Sequence, residues 1–333
     1  MQPRKPLNVV LYGSPVAGRS AELAGQLGDG FVVREIDYAA PPEVKKDALG
    51  QADAMITVRF DRDVPASANL RLVQVPGVGC DEIQVDALPS GAALCNVRGH
   101  GAAVAEFVLL QMLEWCHQAR AAEASFRTGD WSRSSRFGAP PHRELAGTTV
   151  GIIGFGEIGR SLAARLKGLD VRVHVANRSL QQPFEAVDEV FALHDLNRML
   201  PQCDFVVLSL ALTPRTEGII GHSELAAMRQ DTVLVNVARG PIVQEAALWR
   251  ALKNNAIGGA ILDVWYQYPD ADHPNMTPSI YPFADLRNVL MTPHISGWTQ
   301  GTVERRWRDI VDNLRRLADG RPFLNVVAAP QDK

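Results

Sequence analysis

The sequence predicts an α/β protein built from two doubly wound parallel-sheet domains, and three observations predict it. Short β-branched runs alternate with helical patterns almost throughout, a glycine turn of GxGxxG spacing follows one of those runs, and no CxxC or histidine cluster suggests a metal-nucleated fold. With 333 residues, 46% of them hydrophobic, the chain is also long enough for two domains of about 100–200 residues each.

In chain order, "NVVLYG", "FVVREID", "AMITVR" and "RLVQVPG" read as the strands of the first hundred residues, separated by helical patterns. The run "AAVAEFVLLQMLEWCHQARAAEASF" carries apolar residues at helical spacing and predicts one long linking helix. The polar, Pro-rich "GDWSRSSRFGAPPHRELAG" after it predicts an irregular arm. A second alternating series follows: "TTVGIIGFGEIGR", "VRVHVAN", "CDFVVLSL", "DTVLVNVARG", "GGAILDVW" and "NVLMTPHIS". A final helix, from about Thr302 to Asp319, is expected to return to the first domain and make it discontinuous. The expected division is 1–98 with 298–333 against 99–297.

The formal net charge is -3 and no Lys/Arg run exceeds a pair, so no field gathers phosphate backbones or anionic lipid, and no nucleic acid partner is expected. No segment reaches the ~18 apolar residues of a membrane span, and the N-terminal apolar run is too short for a signal peptide, so a cytoplasmic protein is expected. Cys80, Cys95, Cys116 and Cys203 stand far apart, which predicts buried thiols in a reducing compartment and no metal site.

In "TVGIIGFGEIGR", Gly154, Gly156 and Gly159 follow an apolar strand and open a helix, and the next strand arrives at the spacing of a βαβ unit. Such glycines give a tight turn, close approach of a pyrophosphate and close helix-to-strand packing. The whole turn, with Phe155, Glu157 and Ile158, is therefore a candidate dinucleotide site in a Rossmann-like domain. The usual acid at the end of the second strand, which binds the ribose hydroxyls, is replaced by Asn177, then Arg178 and Ser179. Asp170 precedes that strand and lies at the opposite end of the sheet. Loss of the acid removes repulsion against a 2′-phosphate, and Arg178 and Ser179 can donate to one, so NADP(H) is expected in preference to NAD(H). The plain alternative is a solvated loop arginine. "GSPVAGRS" nearly spells a P-loop, but Arg19 stands where lysine belongs.

Three later strand ends carry Arg239 ("VNVARG"), Asp263 ("LDVWYQYP") and His294 ("MTPHISG"), and ligands of open α/β sheets bind at such ends. An arginine can grip a carboxylate bidentately, and a histidine can pass the proton that accompanies hydride transfer at an alcohol carbon. Taken singly, Arg239 reads equally as an ion-pair residue and His294 as a strand-end cap.

Together with the glycine turn, "VQVPGVGCDEIQVDAL", "NVRGHGAAVAEFVLLQML", "LALTPRTEGII", "LVNVARGPIVQEAAL", "GAILDVW" and "MTPHISG" make nearly the whole chain resemble the D-isomer-specific 2-hydroxyacid dehydrogenase family. The resemblance implies a discontinuous flavodoxin-like substrate domain, a central nucleotide domain, a cleft closing on a 2-oxo or 2-hydroxy acid, and a homodimer through the nucleotide domain. It implies that Arg239 binds substrate, His294 is the acid/base, the backbone at Val78 and Gly79 holds the substrate carboxylate, and Thr213, Val237, Ala238, Asp263 and Gly297 border the cofactor.

The family's usual glutamate partner of the histidine is replaced by Tyr268, which offers a hydrogen bond but no charge at neutral pH, so His294 is expected to titrate lower than in glutamate-bearing relatives. Formate dehydrogenases of this fold also lack that glutamate, which makes formate oxidation an alternative; His100, where they resemble one another in carrying asparagine, argues against it. His100 and Arg59 are further candidate substrate contacts, each with a bland reading as a hinge or surface residue. Ser209 and Ala211 stand where relatives often show His and Pro, which suggests a different lining beside the nicotinamide. Trp265, Tyr266, Tyr268 and Trp298 suggest an apolar substrate wall or ordinary core. A last alternative is a cofactor-sensing module similar to corepressors of the same fold.

Overall fold

The computed structural model describes residues 5–13, 18–178, 184–269 and 273–330, and the chain forms two units, 1–99 with 300–333 and 100–299. The apolar runs of the first hundred residues become β1 (Leu7–Tyr12), β2 (Phe31–Ile36), β3 (Ala54–Ile56), β4 (Leu72–Gln74) and β5 (Ala93–Cys95), with α1 (Ser20–Leu27) and α2 (Pro42–Leu49) between them. The period-2 alternation of a strand splits β1 between two cores: Val9 and Leu11 join Leu23 of α1, while Val10 and Tyr12 join Leu49 of α2.

The second unit opens with α3 (Gly101–His117) and α4 (Ala119–Arg127), where the sequence predicts a single helix. Gln118 breaks it in the left-handed region at φ 52°, and Glu114 Oε1 accepts the Arg120 N–H at 3.1 Å, taking up a donor left open at the start of α4. There follow β6 (Thr149–Ile153), α5 (Glu157–Lys167), β7 (Arg172–Asn177), β8 (Glu189–Ala192), α6 (Leu196–Met199), β9 (Phe205–Leu208), α7 (His222–Ala227), β10 (Val233–Asn236), α8 (Glu245–Lys253), β11 (Gly259–Leu262) and β12 (Val289–Met291). All seven strands pair in parallel, in the order β12-β11-β10-β9-β6-β7-β8. The order reverses between β6 and β9, where the crossovers leave on opposite faces and a crevice opens at the carboxyl ends. β6, β9 and β10 are buried on both faces, which is why they read as unbroken Val/Ile/Leu runs.

The chain then returns to the first unit as α9 (Gln300–Asp319) and β13 (Val326–Ala328). Ile310 and Leu314 of α9 join the core of Val9 and Leu11, and a buried pair fixes the docking: Asn313 Nδ2 donates to Gln74 Oε1 at 2.7 Å while its Oδ1 accepts the Leu324 N–H. β13 adds an antiparallel edge next to β5, giving the order β13-β5-β4-β3-β1-β2, flavodoxin-like through its parallel strands. Cys95, Cys116 and Cys203 are buried thiols, and burial pushes Cys95 and Cys203 up to about 12. No helix among the described residues is long and apolar enough to cross a membrane.

Candidate active site

The glycine turn joins β6 to α5 at the reversal point of the second unit's sheet. Gly154 adopts φ +93°, and a Cβ there would lie 2.7 Å from the Leu210 backbone nitrogen, so only glycine lets the segment after β9 close on the turn. Ser209, just past β9, ties the same two segments together by donating from its hydroxyl to the Gly154 carbonyl at 2.7 Å. A Cβ at Gly156 would meet nothing within 4 Å, so the backbone at the start of α5 is open to an anionic group, which the helix N-terminus favours.

A cavity of about 810 Å³ adjoins the turn, lined among others by Gly154, Gly156, Asn177, Arg178 and Thr213. Its size, glycine backbone and helix terminus fit a dinucleotide. Phe155 also lines it, its ring edge-on to Phe184 with the Arg160 guanidinium 5.0 Å above. Two cavity residues that sequence reasoning missed are His194, in the single 3-10 turn Leu193–Asp195, and Arg215, in a turn; neither element is long enough for a periodicity to mark a residue as facing a site. Neither Arg178 nor Arg215 has an acidic partner among the described residues.

Other predicted cofactor residues lie off this cavity. Glu157 Oε1 accepts the Gly101 N–H at 3.1 Å and holds the start of α3 to that of α5. A Cβ on Gly159 would lie 2.6 Å from the Gly154 carbonyl oxygen, so its part is close packing of the turn. Ile158, Val237 and Ala238 join apolar cores, and Ser179 lies outside the described residues.

Arg239, Tyr268 and His294 come together at the carboxyl ends of β10, β11 and β12. Asn236 shapes the first turn by donating from Nδ2 to the Arg239 carbonyl at 2.9 Å and accepting the Ala238 N–H at Oδ1. Asp263 has no exposed surface. Its Oδ1 accepts the Thr292 hydroxyl at 2.7 Å and the Ile295 N–H at 2.9 Å, and Oδ2 accepts the Ser296 N–H at 2.8 Å. The carboxylate thus clamps both sides of His294, which sits at φ 58°, a conformation that a non-glycine residue holds only where its surroundings impose it. Asp263 was expected to face the nicotinamide; its buried carboxylate instead acts through this turn.

Tyr268 Oη lies 3.0 Å from His294 Nδ1 and accepts the Trp265 N–H at 3.1 Å. Burial and then the Arg239 guanidinium hold His294 below the ordinary imidazole value, against the pull of the Asp263 carboxylate. Burial raises the Tyr268 phenol above its ordinary value, with Trp265 N–H and Arg239 opposing.

The four aromatics expected to form either a substrate wall or ordinary core divide between the two. Trp265 is 5% exposed and donates from Nε1 to the Thr292 carbonyl at 2.8 Å; Tyr266 stacks on Phe283 and donates to the Val243 carbonyl, so these two build the core beneath the site. Tyr268 and Trp298 are exposed at 45% and 63%. His100 is buried just before α3, and a side chain at Gly297 would touch it at 3.4 Å.

In the first unit, Val78 and Gly79 follow β4. Val78 is exposed, and its carbonyl accepts the Asn96 amide at 2.8 Å. Arg59 follows β3 and donates to Asp61 at 3.1 Å, beside a cavity of about 480 Å³ that also takes in Tyr12 and Tyr38. Arg19, of the P-loop-like stretch, pairs with Glu22 at 2.8 Å.

Residues 109–296 match the family model of the D-isomer specific 2-hydroxyacid dehydrogenase NAD binding domain. Over 298 residues the chain is 33% identical to the glycerate dehydrogenase of Methylorubrum extorquens, covering 87% of this chain and 89% of the relative. A 2-hydroxyacid dehydrogenase from Ketogulonicigenium vulgare is similar in structure with TM-score 0.83 and 26% identity, over 98% of this chain and 100% of that one. An NADPH-dependent glyoxylate/hydroxypyruvate reductase from Sinorhizobium meliloti, in complex with NADP and sulfate, is similar with TM-score 0.78 and 26% identity, over 97% of this chain and 98% of that one.

Proposed function

Since the chain belongs to the family of D-isomer specific 2-hydroxyacid dehydrogenases, we propose that it reduces a 2-oxo acid to the 2-hydroxy acid with a preference for NADP(H). The observation that carries this reading is the convergence of Arg239, Tyr268 and His294 on one sheet end, in the unit that also holds the dinucleotide cavity.

A nicotinamide, when bound, would supply the hydride for reduction or accept it in reverse. Arg239 grips the carboxylate of the acid and draws charge from the neighbouring carbonyl. Val78 and Gly79 are proposed to add backbone donors for that carboxylate, and Arg59 and His100 further substrate contacts. His294 has Nδ1 committed to Tyr268, which leaves Nε2 to give a proton to the alkoxide oxygen and to take it back in oxidation. Asp263 acts as a positioning residue, holding the backbone on both sides of His294.

The NADP(H) preference is supported by Arg178 and Arg215, two cations on one cavity where an acid would repel a 2′-phosphate. The relative solved with NADP is a parallel case. Asn177, Thr213 and Gly297 complete the proposed cofactor contacts, with Ser179 beside Arg178. We further propose a cytoplasmic location and a homodimer; sedimentation of the purified protein tests the homodimer.

The test of function is oxidation of NADPH and of NADH, followed by absorbance, across about a dozen 2-oxo acids of increasing side-chain size. Formate with NAD(P)+ serves as the control for the formate-oxidising alternative. Turnover of glyoxylate, hydroxypyruvate or a bulkier 2-oxo acid supports the reading. Cofactor binding without turnover of any of them overturns it in favour of a cofactor sensor.

A further inference from the structure

The phenol oxygen of Tyr268 has one proton to give and two lone pairs, and two polar partners meet it. The Trp265 backbone N–H, at 3.1 Å, can only donate, so one lone pair is taken. The second partner, His294 Nδ1 at 3.0 Å, can donate or accept according to where the imidazole carries its proton.

If neutral His294 carried the proton on Nδ1, both partners would point hydrogens at the phenol oxygen. The phenol's own proton would then have only solvent to turn to, since no described residue accepts it. If His294 carries it on Nε2, the chain runs in one direction, Trp265 N–H to Tyr268 Oη and Tyr268 O–H to His294 Nδ1. Each group is satisfied, and each bond polarises the next. A glutamate at position 268 would impose the opposite order, because an ionised carboxylate can only accept and therefore calls the proton onto Nδ1.

We infer that Tyr268 is a positioning residue that locks neutral His294 in its Nε2–H form, with the Trp265 backbone amide setting the direction of the bond.

The catalytic consequence rests on the reductase reading. Neutral His294 then presents an N–H at Nε2 and can hold the substrate's carbonyl oxygen. It cannot surrender that proton, since an imidazolate would remain. Proton delivery belongs to the imidazolium: the carbonyl carbon gains the hydride, the oxygen gains the Nε2 proton, and neutral imidazole is left with its proton on Nδ1, to be reprotonated at Nε2 from solvent. In the imidazolium Nδ1 also bears a proton, so the Tyr268 hydroxyl must turn away and accept from it. Arg239 and Asp263 are the charged groups facing His294, the first opposing and the second favouring its protonated form.

The test is nitrogen-15 NMR of the ring nitrogens of His294 in the unliganded full chain at a pH where the ring is neutral, with the signals assigned by a His294→Asn variant. The expected spectrum shows Nε2–H in at least roughly fivefold excess over Nδ1–H, the ratio of one net hydrogen bond. Tyr268→Phe is expected to reduce that excess by a similar factor, and Tyr268→Glu to invert it. Equal or dominant Nδ1–H in the wild type overturns the inference, as does a ratio that Tyr268→Phe leaves unchanged. Because the spectra need neither cofactor nor turnover, a protein that shows the expected proton position yet reduces no 2-oxo acid would refute the reductase reading alone.

Discussion

Gly240 lies against the backbone of Trp265 so closely that a Cβ on residue 240 would stand 2.3 Å from the Trp265 carbonyl oxygen and 2.5 Å from its carbon. The segment after β10 is thereby drawn onto the segment after β11, which puts Arg239 within electrostatic reach of Tyr268 and His294. Backbone on the far side cannot swing aside as a flexible side chain would. Gly240→Ala is therefore expected to cost about 1–3 kcal/mol of stability and to lower kcat/KM for 2-oxo acids by roughly 100-fold through misplacement of Arg239. Thermal unfolding and steady-state kinetics measure the two effects, and a variant with unchanged kinetics would show that Arg239 does not need this approach.

Arg239 itself separates substrate binding from cofactor binding. A planar guanidinium matches a carboxylate with two parallel bonds, whereas an ammonium offers a point charge, so Arg239→Lys keeps the charge and loses the fork. It is expected to lower kcat/KM for 2-oxo acids by about 100-fold while NADPH affinity, read by fluorescence titration, stays within about twofold. A parallel fall in both would place Arg239 in the cofactor's support.

Asp263 is the fixed point for the turn that carries His294. Asp263→Asn keeps the shape but turns an acceptor oxygen into an NH2 group facing a backbone N–H or the Thr292 hydroxyl. Leaving one buried donor unsatisfied costs about 1–3 kcal/mol, and kcat is expected to fall by more than roughly tenfold as His294 relaxes from its left-handed conformation. Thermal unfolding together with kcat checks this; a lower unfolding temperature with unchanged kcat would confine Asp263 to stability.

What the sequence displayed and what it hid divide along physical lines. Strands buried on both faces write themselves as apolar runs, and the glycine turn is legible because its packing forbids a Cβ at Gly154 and Gly159. The two-domain α/β class and the family followed from those signals. The break at Gln118 was hidden because glutamine is a good helix former and apolar spacing continues across it; the capping by Glu114 shows only in three dimensions. The edge strand β13 is three residues long with two of them exposed, too short for any period to register. At the site, Arg239 and His294 were legible from their places at strand ends, and Tyr268 only from the family resemblance, as the residue at the usual glutamate position. The burial of Asp263 was not, and Trp265 and Tyr266 read equally as substrate wall or as core, because side-chain direction beyond a strand's last residue follows from loop geometry.

Cofactor choice is testable at Arg178 and Arg215. Removing a charge-assisted contact to a 2′-phosphate costs about 1.5–3 kcal/mol, so Arg178→Ala is expected to lower kcat/KM with NADPH by roughly 10- to 100-fold. With NADH the value should stay within about threefold, since that cofactor has no phosphate there. Arg215→Ala is expected to act in the same direction and less strongly. Equal losses with both cofactors would move these arginines to the adenine or pyrophosphate, and the NADP(H) preference would lose its support.

The pH dependence of turnover follows from the environment of His294. Its imidazolium is the acid for ketone reduction, and burial together with Arg239 holds it below the ordinary imidazole value of about 6.5. A depressed value means that the proton is already lost before neutrality. Reduction kcat/KM should therefore be highest at low pH and fall about tenfold per unit as pH rises through and beyond that value, throughout the neutral range. Oxidation uses as base the neutral imidazole whose Nε2 is bare, the minor form that keeps its proton on Nδ1. The share of that form in the neutral ring does not change with pH, so kcat/KM should climb with pH and level off once pH exceeds the same value, and one titration governs both limbs in opposite senses. Tyr268, raised above its ordinary value near 10, stays protonated across this window and adds no step of its own. Tyr268→Glu brings a carboxylate against Nδ1, favours the imidazolium, and should move the falling limb of reduction upward by about 1–3 units. Initial rates with one 2-oxo acid and its 2-hydroxy product, from pH 5 to 9 in both proteins, test the assignment. A wild-type reduction profile that is flat from pH 6 to 9, or a Tyr268→Glu profile that does not move, would remove His294 from proton transfer.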